Sequence, residues 1–493
     1  MNTKTAATLM DASVAAASTD VLEAEIKGFS LDSRSVATGE LFFALLQEDY
    51  TRAGFNGTFA DSHEFIGEAL ERGAVAAVAR RSRVEGDASL ARFGDRLLLV
   101  EDVIAALQQL AHKVYEAWAR PIIGITGSAG KTTTKDLTAH ILSTAGQRVL
   151  KSERNYNNGL GLPLSVLQMV GDGRAPDDYD IGVLEMGMSS RGEIARLCRI
   201  VAPDIGVELL VAPVHLEYLG SLQAIADEKS DLIANMKPGG VAVLNADDEL
   251  VMAMRDKHKG RVVTFGLENE ADVTAAEIDA SHFGQFSFNL RTPLGEAQAK
   301  LPMPGRHNLM NALAASAVAT VLDIAPEEIA RALATAVAPH MRGEVMDFVD
   351  GFTVVDDSYN SNPRSLLSMV RTIAEGGADG ARRIVVAGEM LELGTDGAAM
   401  HRDAGRSIAD YGIDVLWGVR GLARELTEAA REAGMKTENV KFFESAEDAG
   451  IALEKEVREG DLVLVKGSRG VRMDKVVAHL RERFPMTGED EAN

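Results

Sequence analysis

The stretch GITGSAGKTTTKD, Gly124 to Asp136, carries the residue types of a phosphate cradle. Glycines let backbone N–H groups converge on phosphate oxygens, and a following helix N-terminus adds the positive end of its dipole. Lys131 can reach the β- and γ-phosphates of a nucleotide, and the Thr132 hydroxyl can ligate Mg²⁺. The spacing departs from the usual phosphate-loop pattern: Gly124 stands one residue too early, Ile125 takes the expected glycine position, and Gly127 lies inside the loop. A metal beside the loop needs further oxygen or nitrogen donors. In VLEMGMSSRGEI, Glu185 ends an apolar strand-like run, where parallel sheets keep their ligand crevice. His215, in VAPVHLEYLGS, follows the next such run. A lone histidine is more often structural, and His215 gains weight from lying at the same sheet edge. By composition Lys229, in AIADEKSDL, is a lysine on an acidic helix. NYNNGLGLP, Asn155 to Pro163, is dense in amide side chains that can hold a polar substrate or stabilise turns.

These residues need a sheet to position them. PIIGIT, IGVLEM, DIGVELLV and GVAVLNA read as buried strands separated by helical stretches, which predicts a mostly parallel sheet with right-handed crossovers. KTTTKDLTAHILSTAG has helical spacing and ends in glycine. Residues 261–303 change to alternating runs joined by polar turns, which predicts an antiparallel annex. Before this block come GELFFALL, GAVAAVAR and RLLLVED, then the amphipathic DVIAALQQLAHKVYEAW, which closes a first domain. After it, GFTVVDDS, RRIVVAGE, DVLWGVRG, VKFFES and DLVLVKGS recur between helices as a doubly wound α/β unit. The expectation is therefore an α/β protein of three domains, 1–118, 119–339 and 340–493. The central one carries the phosphate loop on a mostly parallel sheet with the annex, and the last is Rossmann-like.

A chain of 493 residues exceeds the roughly 250–300 that one core serves. Its net charge of −23 argues against nucleic-acid or anionic-membrane binding, so any anionic ligand must be held by local cations, metal ions and helix N-termini. Cys198 is the single cysteine. It cannot form an intrachain disulfide, reads as a buried structural thiol, and favours a cytoplasmic location. The N-terminus lacks the pattern of a signal peptide, and no run approaches about 18 apolar residues, so no membrane insertion is expected. A monomer is the expected state.

Taken together, the motifs resemble the Mur ligase family of ATP-dependent amide-bond synthetases. The family loop T-G-x-x-G-K-T is matched by Thr126 to Thr132, which accounts for the odd spacing. GRHNLMNALAA (Gly305 to Ala315), MRGEVMDF, VVDDSYNSNPRSL, LVLVKGSRGVRMDKVV and FSLDSRSVATGELFFAL are similar to further family segments, in order along nearly the whole chain. DDSYNSNP, NYNNGLGLP and GEMLELG are most similar to the member that joins D-alanyl-D-alanine to the terminal carboxylate of UDP-N-acetylmuramoyl-tripeptide through an acyl-phosphate. Another Mur-type ligase, adding the third amino acid, and a folate polyglutamate synthase remain the alternatives.

The resemblance implies roles. Thr126, Gly127, Ser128, Ala129, Gly130, Lys131, Thr132 and Thr133 hold ATP. Asn308 and Asn311 line the adenine pocket, Arg342 touches phosphate, and Asp357 meets the nucleotide from the C-terminal domain. Thr132, Glu185 and His215 surround Mg²⁺, with Lys229 joining them if carbamylated, and Lys131, Glu185, His215 and Lys229 form the catalytic set. Ser33 and Arg34 contact the uridine part, Asn157 and Asn158 face the muramoyl-peptide, and Asn360 and Asn362 lie near the incoming dipeptide. Three domains are expected to close on hinges near residues 118 and 340. Two departures stand out: Leu209 and Leu210 occupy positions where the family often has Thr-Asn, and Ser62 stands where glycine is common.

Overall fold

The computed structural model describes residues 1–14, 18–55, 57–153, 156–213, 219–376 and 380–487. Three α/β units follow one another. The first holds a four-stranded parallel sheet of β1 (Gly28–Ser30), β2 (Glu40–Phe43), β3 (Ala76–Arg80) and β4 (Leu97–Val100), in sequence order. The second is built on six parallel strands: β5 (Ile122–Thr126), β6 (Val149–Lys151), β7 (Ile181–Glu185), β8 (Ile205–Glu208), β9 (Val241–Asn245) and β10 (Arg261–Phe265). Their order is β10-β9-β8-β5-β7-β6. Every residue of β5, β7 and β8 is buried, as expected for strands covered on both faces by crossover helices.

An antiparallel annex of β11 (Thr274–Asp279), β12 (Phe286–Thr292) and β13 (Gly295–Leu301) follows. The expected annex began at residue 261, but β10 belongs to the central sheet, parallel to β9. It is an edge strand whose Val263 and Phe265 face the core while Arg261 faces solvent, so it alternates as an antiparallel strand does. The third unit orders β14 (Glu344–Asp347), β15 (Thr353–Asp357), β16 (Arg383–Gly388), β17 (Val415–Val419), β18 (Val440–Phe443) and β19 (Leu462–Lys466) as β14-β15-β19-β16-β17-β18. All its pairings are parallel except β14 with β15.

The units are joined unequally. The helix Val103–Trp118 is capped by Asp102, whose side chain accepts from the Ala105 N–H. Its apolar face enters a single core that holds Leu41, Phe43 and Leu98 of the first unit together with Leu162, Leu184 and Ile233 of the second. Tyr115 Oη donates to the Ala202 carbonyl at 2.9 Å and Trp118 Nε1 to the Tyr179 carbonyl at 3.2 Å. Apolar packing therefore runs continuously across residue 118, from the first unit into the second. The third unit has its own two cores, one on each side of its sheet. It meets the second through Phe283, packed against one of those cores, and through polar contacts of Arg364 and Ser368 with Val211 and His307.

Candidate active site

The site forms at the carboxyl ends of three adjacent strands, where β5 stops at Thr126, β7 at Glu185 and β8 at Glu208. After β5 the chain turns through Gly127 (φ 151°) and Gly130 (φ 85°), conformations that favour glycine. A Cβ on Gly130 would lie 2.3 Å from Asn311 Oδ1. The helix Lys131–Thr144 starts at once, so its first N–H groups lie beside the loop as ready anion donors. Asn308 and Asn311 brace it: Thr134 Oγ1 donates to Asn311 Oδ1 at 3.3 Å, Asn311 Nδ2 to Asn308 Oδ1 at 3.3 Å, and Asn308 Nδ2 to the Pro304 carbonyl at 2.8 Å.

Glu185 is the hub. Thr132 Oγ1 donates to its Oε2 at 2.7 Å and Asn157 Nδ2 to its Oε1 at 2.8 Å, while its own N–H donates to Ser152 Oγ at 3.1 Å. Ser152 is in turn held by Lys135, whose Nζ donates to the Ser152 carbonyl at 2.9 Å. Lys131 Nζ donates to the Gly127 carbonyl at 2.8 Å. Burial lowers the pKa of Lys131 and the Glu185 charge opposes that shift. Beneath the loop lies a second polar group. Glu208, the register partner of Thr126, is fully buried, and neither its carboxylate oxygens nor Thr126 Oγ1 finds a hydrogen-bond partner among the described residues. Burial pushes the Glu208 carboxyl up to about 8. Burial, reinforced by the Lys131 charge, brings the neighbouring Lys229 down to about 7.

Three cavities adjoin one another, two of them lined by the loop. The central one, about 430 Å³, is lined by Ser128 to Thr133, Glu185, Asn157 and Asn158, and across from them by Arg342, Asp357, Tyr359, Asn360, Lys466 and Arg469. A groove of about 620 Å³ runs from the first unit, past Gly28, Ser30, Asp32 and Ser35, to Tyr156 and Asn158. Asn158 therefore belongs to both spaces. A third cavity, about 340 Å³, is walled by Leu209, Leu210, Phe265 and Met310 and shares Gly130, His307 and Asn311 with the central one.

Of the residues expected from sequence, the structure brings the loop from Ser128 to Thr133, Glu185, Asn157, Asn158, Asn308, Asn311, Arg342, Asp357, Asn360 and Asn362 around one cavity. Asn362 also caps the helix Pro363–Glu375, its side chain accepting from the Ser365 N–H. Thr126 ends β5, Gly127 opens the loop and Lys229 lies beneath it, and none of the three lines that cavity. Ser33 is buried, and the exposed Arg34 is held by Asp32 through bonds of 2.9 and 2.8 Å, so Asp32 and Ser35 are the residues of that turn lining the groove. His215 lies outside the described residues. Sequence reasoning missed Ser152, Glu208, Tyr359, Lys466 and Arg469. The last two stand in the KGSR stretch, which carried a signal for a strand end and none for a cleft-facing side chain. The departure at Leu209 and Leu210 has a structural meaning: they form an apolar wall of the third cavity, and Asn245 Nδ2 donates to the Leu209 carbonyl at 2.7 Å.

A glycine-bounded loop, a helix hydroxyl meeting a strand-end carboxylate, and a cleft shared with a third unit define a class of multidomain α/β proteins built around a phosphate-binding loop. Residues 125–319 match the family described as Mur ligase middle domain, and residues 341–469 match Mur ligase, glutamate ligase domain. The chain is 32% identical to the UDP-N-acetylmuramoyl-tripeptide--D-alanyl-D-alanine ligase of Bacillus subtilis, with 93% of each covered. Among solved structures it is similar to MurF from Acinetobacter baumannii, with a TM-score of 0.79, 29% identity, and 93% of this chain and 94% of that one covered. It is also similar to the MurF ligase of Thermotoga maritima in complex with ADP, with a TM-score of 0.76, 28% identity, and 93% and 98% covered. The chain belongs to the Mur ligase family.

Proposed function

We infer that the chain is an ATP-dependent ligase that joins D-alanyl-D-alanine to the terminal carboxylate of UDP-N-acetylmuramoyl-tripeptide, releasing ADP and phosphate in peptidoglycan precursor synthesis. The observation that carries this reading is a central cavity on the loop that adjoins two others, the groove from the first unit through Asn158 and the apolar cavity through Gly130 and Asn311. A three-substrate ligation needs a nucleotide, an acceptor carboxylate and an amine to meet at one point. The groove from the first unit suits the uridine-nucleotide end of the peptide, delivering its carboxylate past Asn158 toward Glu185. The apolar third cavity suits a nucleobase, leaving the phosphates on the loop. The C-terminal wall is left for the dipeptide. The relatives' names give two of these partners, the UDP-peptide and the dipeptide, a similar solved structure is a complex with ADP, and none of the described helices is long and apolar enough to cross a membrane.

A carboxylate does not react usefully with an amine near neutral pH, so the acceptor oxygen first takes the γ-phosphoryl group of ATP. The dipeptide amine then attacks the acyl carbon and phosphate leaves. The protein's part is positioning and charge stabilisation. Lys131 exchanges its bond to the Gly127 carbonyl for a phosphate oxygen. Asn157 and Ser152 hold Glu185 in one orientation. The donors fit Mg²⁺: Thr132 Oγ1 and Glu185 Oε2 are hard oxygen ligands 2.7 Å apart in a buried position. When bound there, Mg²⁺ offsets the repulsion between phosphate and carboxylate. His215 and a carbamylated Lys229 are further ligands in this proposal. The test is ADP release with UDP-N-acetylmuramoyl-tripeptide and D-alanyl-D-alanine, against diaminopimelate, lysine or glutamate with their own UDP-peptide acceptors. Turnover confined to the dipeptide is expected, and a preference for a single amino acid overturns the reading.

A further inference from the structure

We propose that Arg469 takes the carboxylate end of the incoming dipeptide, with Tyr359 as the platform that holds its guanidinium at the cleft. The proposal rests on the ligase reading above and assigns a residue that reading leaves open. An unprotected dipeptide carries an amine that must reach the acyl group near Glu185 and a carboxylate at its other end. Two extended residues separate them by about 7 Å. The carboxylate cannot share the loop cations, which serve phosphate. It must find a cation on the facing wall, made of Asp357, Tyr359, Asn360, Lys466 and Arg469.

Two cations on that side are already committed. Lys466 Nζ donates to Asp357 Oδ2 at 2.6 Å and to the Asn360 carbonyl at 2.9 Å, and its side chain is 3% exposed. Arg342 stacks on the Tyr359 ring at 4.0 Å, and the ligase reading above gives it to phosphate. Arg469 approaches the same ring at 5.7 Å. Its side chain is 53% exposed and its closest contacts are long, 3.8 Å to Met341 Sδ and 3.9 Å to Asp474 Oδ1. Asp474 is held more closely by Arg472, through two bonds of 3.2 Å. The Arg469 fork thus keeps its donors for a ligand, and a planar fork matches a carboxylate in two parallel hydrogen bonds. The two arginines on one tyrosine divide the wall: Arg342 toward phosphate, Arg469 toward the dipeptide.

The experiment is steady-state kinetics on the full chain with D-alanyl-D-alanine and with its C-terminal amide. Wild type is expected to disfavour the amide by roughly 10- to 100-fold in kcat/KM. Arg469→Ala is expected to raise KM for the dipeptide by a similar factor, to move KM for ATP far less, and to lose the discrimination against the amide. Arg469→Lys should recover part of the loss, since it keeps the charge without the fork. The assignment is overturned if wild type accepts the amide as well as the acid, if Arg469→Ala still discriminates, or if its main effect falls on KM for ATP. Absence of dipeptide-dependent ADP release by wild type would instead remove the ligase reading itself, before any variant is compared.

Discussion

Lys131 and Glu185 line the same cavity, the first half-buried and the second buried. Glu185 is 2% exposed, accepts two side-chain hydrogen bonds and donates one from its N–H, so its position is fixed before any ligand arrives. Lys131→Ala and Glu185→Ala are each expected to lower ADP release by at least about 10²-fold, the scale for losing one preorganised charge or donor at a transition state. A variant retaining most of its rate would show that the chemistry lies elsewhere. Asp356 offers a test by pH. It is 1% exposed, and burial, opposed by bonds from Ser358, raises its carboxyl from 3.8 to about 6. Between those values the folded state binds more protons than the unfolded one, so this group's contribution to stability falls as pH rises through that window. It then costs up to about 3 kcal/mol at pH 7. Asp356→Asn keeps an oxygen for the Ser358 N–H and removes the charge. The variant should gain stability over wild type at pH 7 and lose that gain at pH 4. Urea unfolding followed by Trp417 fluorescence in a Trp118→Phe background measures the difference, and an equal gain at both pH values would contradict it.

Elements bring these residues together, and the loop-to-helix junction after β5 is the most constrained of them. Gly130 stands at φ 85° with Asn311 Oδ1 2.3 Å from where a Cβ would go. Gly130→Ala should therefore displace Asn311, detach the helix Lys131–Thr144 from the helix Arg306–Val321, and abolish binding of a fluorescent ATP analogue. Normal analogue affinity in this variant would show that the loop can reshape. Much of this was legible in the sequence. The loop, the strand ending at Glu185 and the GRHNLMNALAA helix all announce themselves, because buried strands and glycine turns leave local signatures. What stayed hidden is set by tertiary contact. β1 and β6 have three residues each, too few for any period. Glu208 looks in sequence like a strand-end acid, and only the crossing of β5, β8 and the Leu222–Ala234 helix buries it. Asn308 and Asn311 were expected from sequence to line a nucleotide pocket, and their observed bonds run to the loop helix, to each other and to the Pro304 carbonyl.

At the scale of the whole molecule, a net charge of −23 repels the two anionic substrates of the proposed reaction, ATP and the UDP-peptide, so the cleft must gather its few cations tightly around them. Lys131 stands on the second unit, whereas Arg342, Lys466 and Arg469 stand on the third. The cleft is thus completed by relative placement of two bodies. The first and second units share one apolar core through the Val103–Trp118 helix, whereas the third is tied to them by Phe283 and a few polar contacts. The shared core argues against the expected hinge at residue 118, and the prediction is that closure, if it accompanies binding, takes place near residue 340. Labels on cysteines introduced at the exposed Glu85, Glu270 and Glu428 can follow it, one on each unit. The native Cys198 is buried and its thiol is pushed up to about 12, so it should not compete for label. With a non-hydrolysable ATP analogue and the UDP-peptide, the 270–428 distance should change while the 85–270 distance holds. Solution scattering should show the matching compaction. Movement in the first-to-second pair would mean that their shared core opens during turnover, and the three units would then have to be treated as independently hinged.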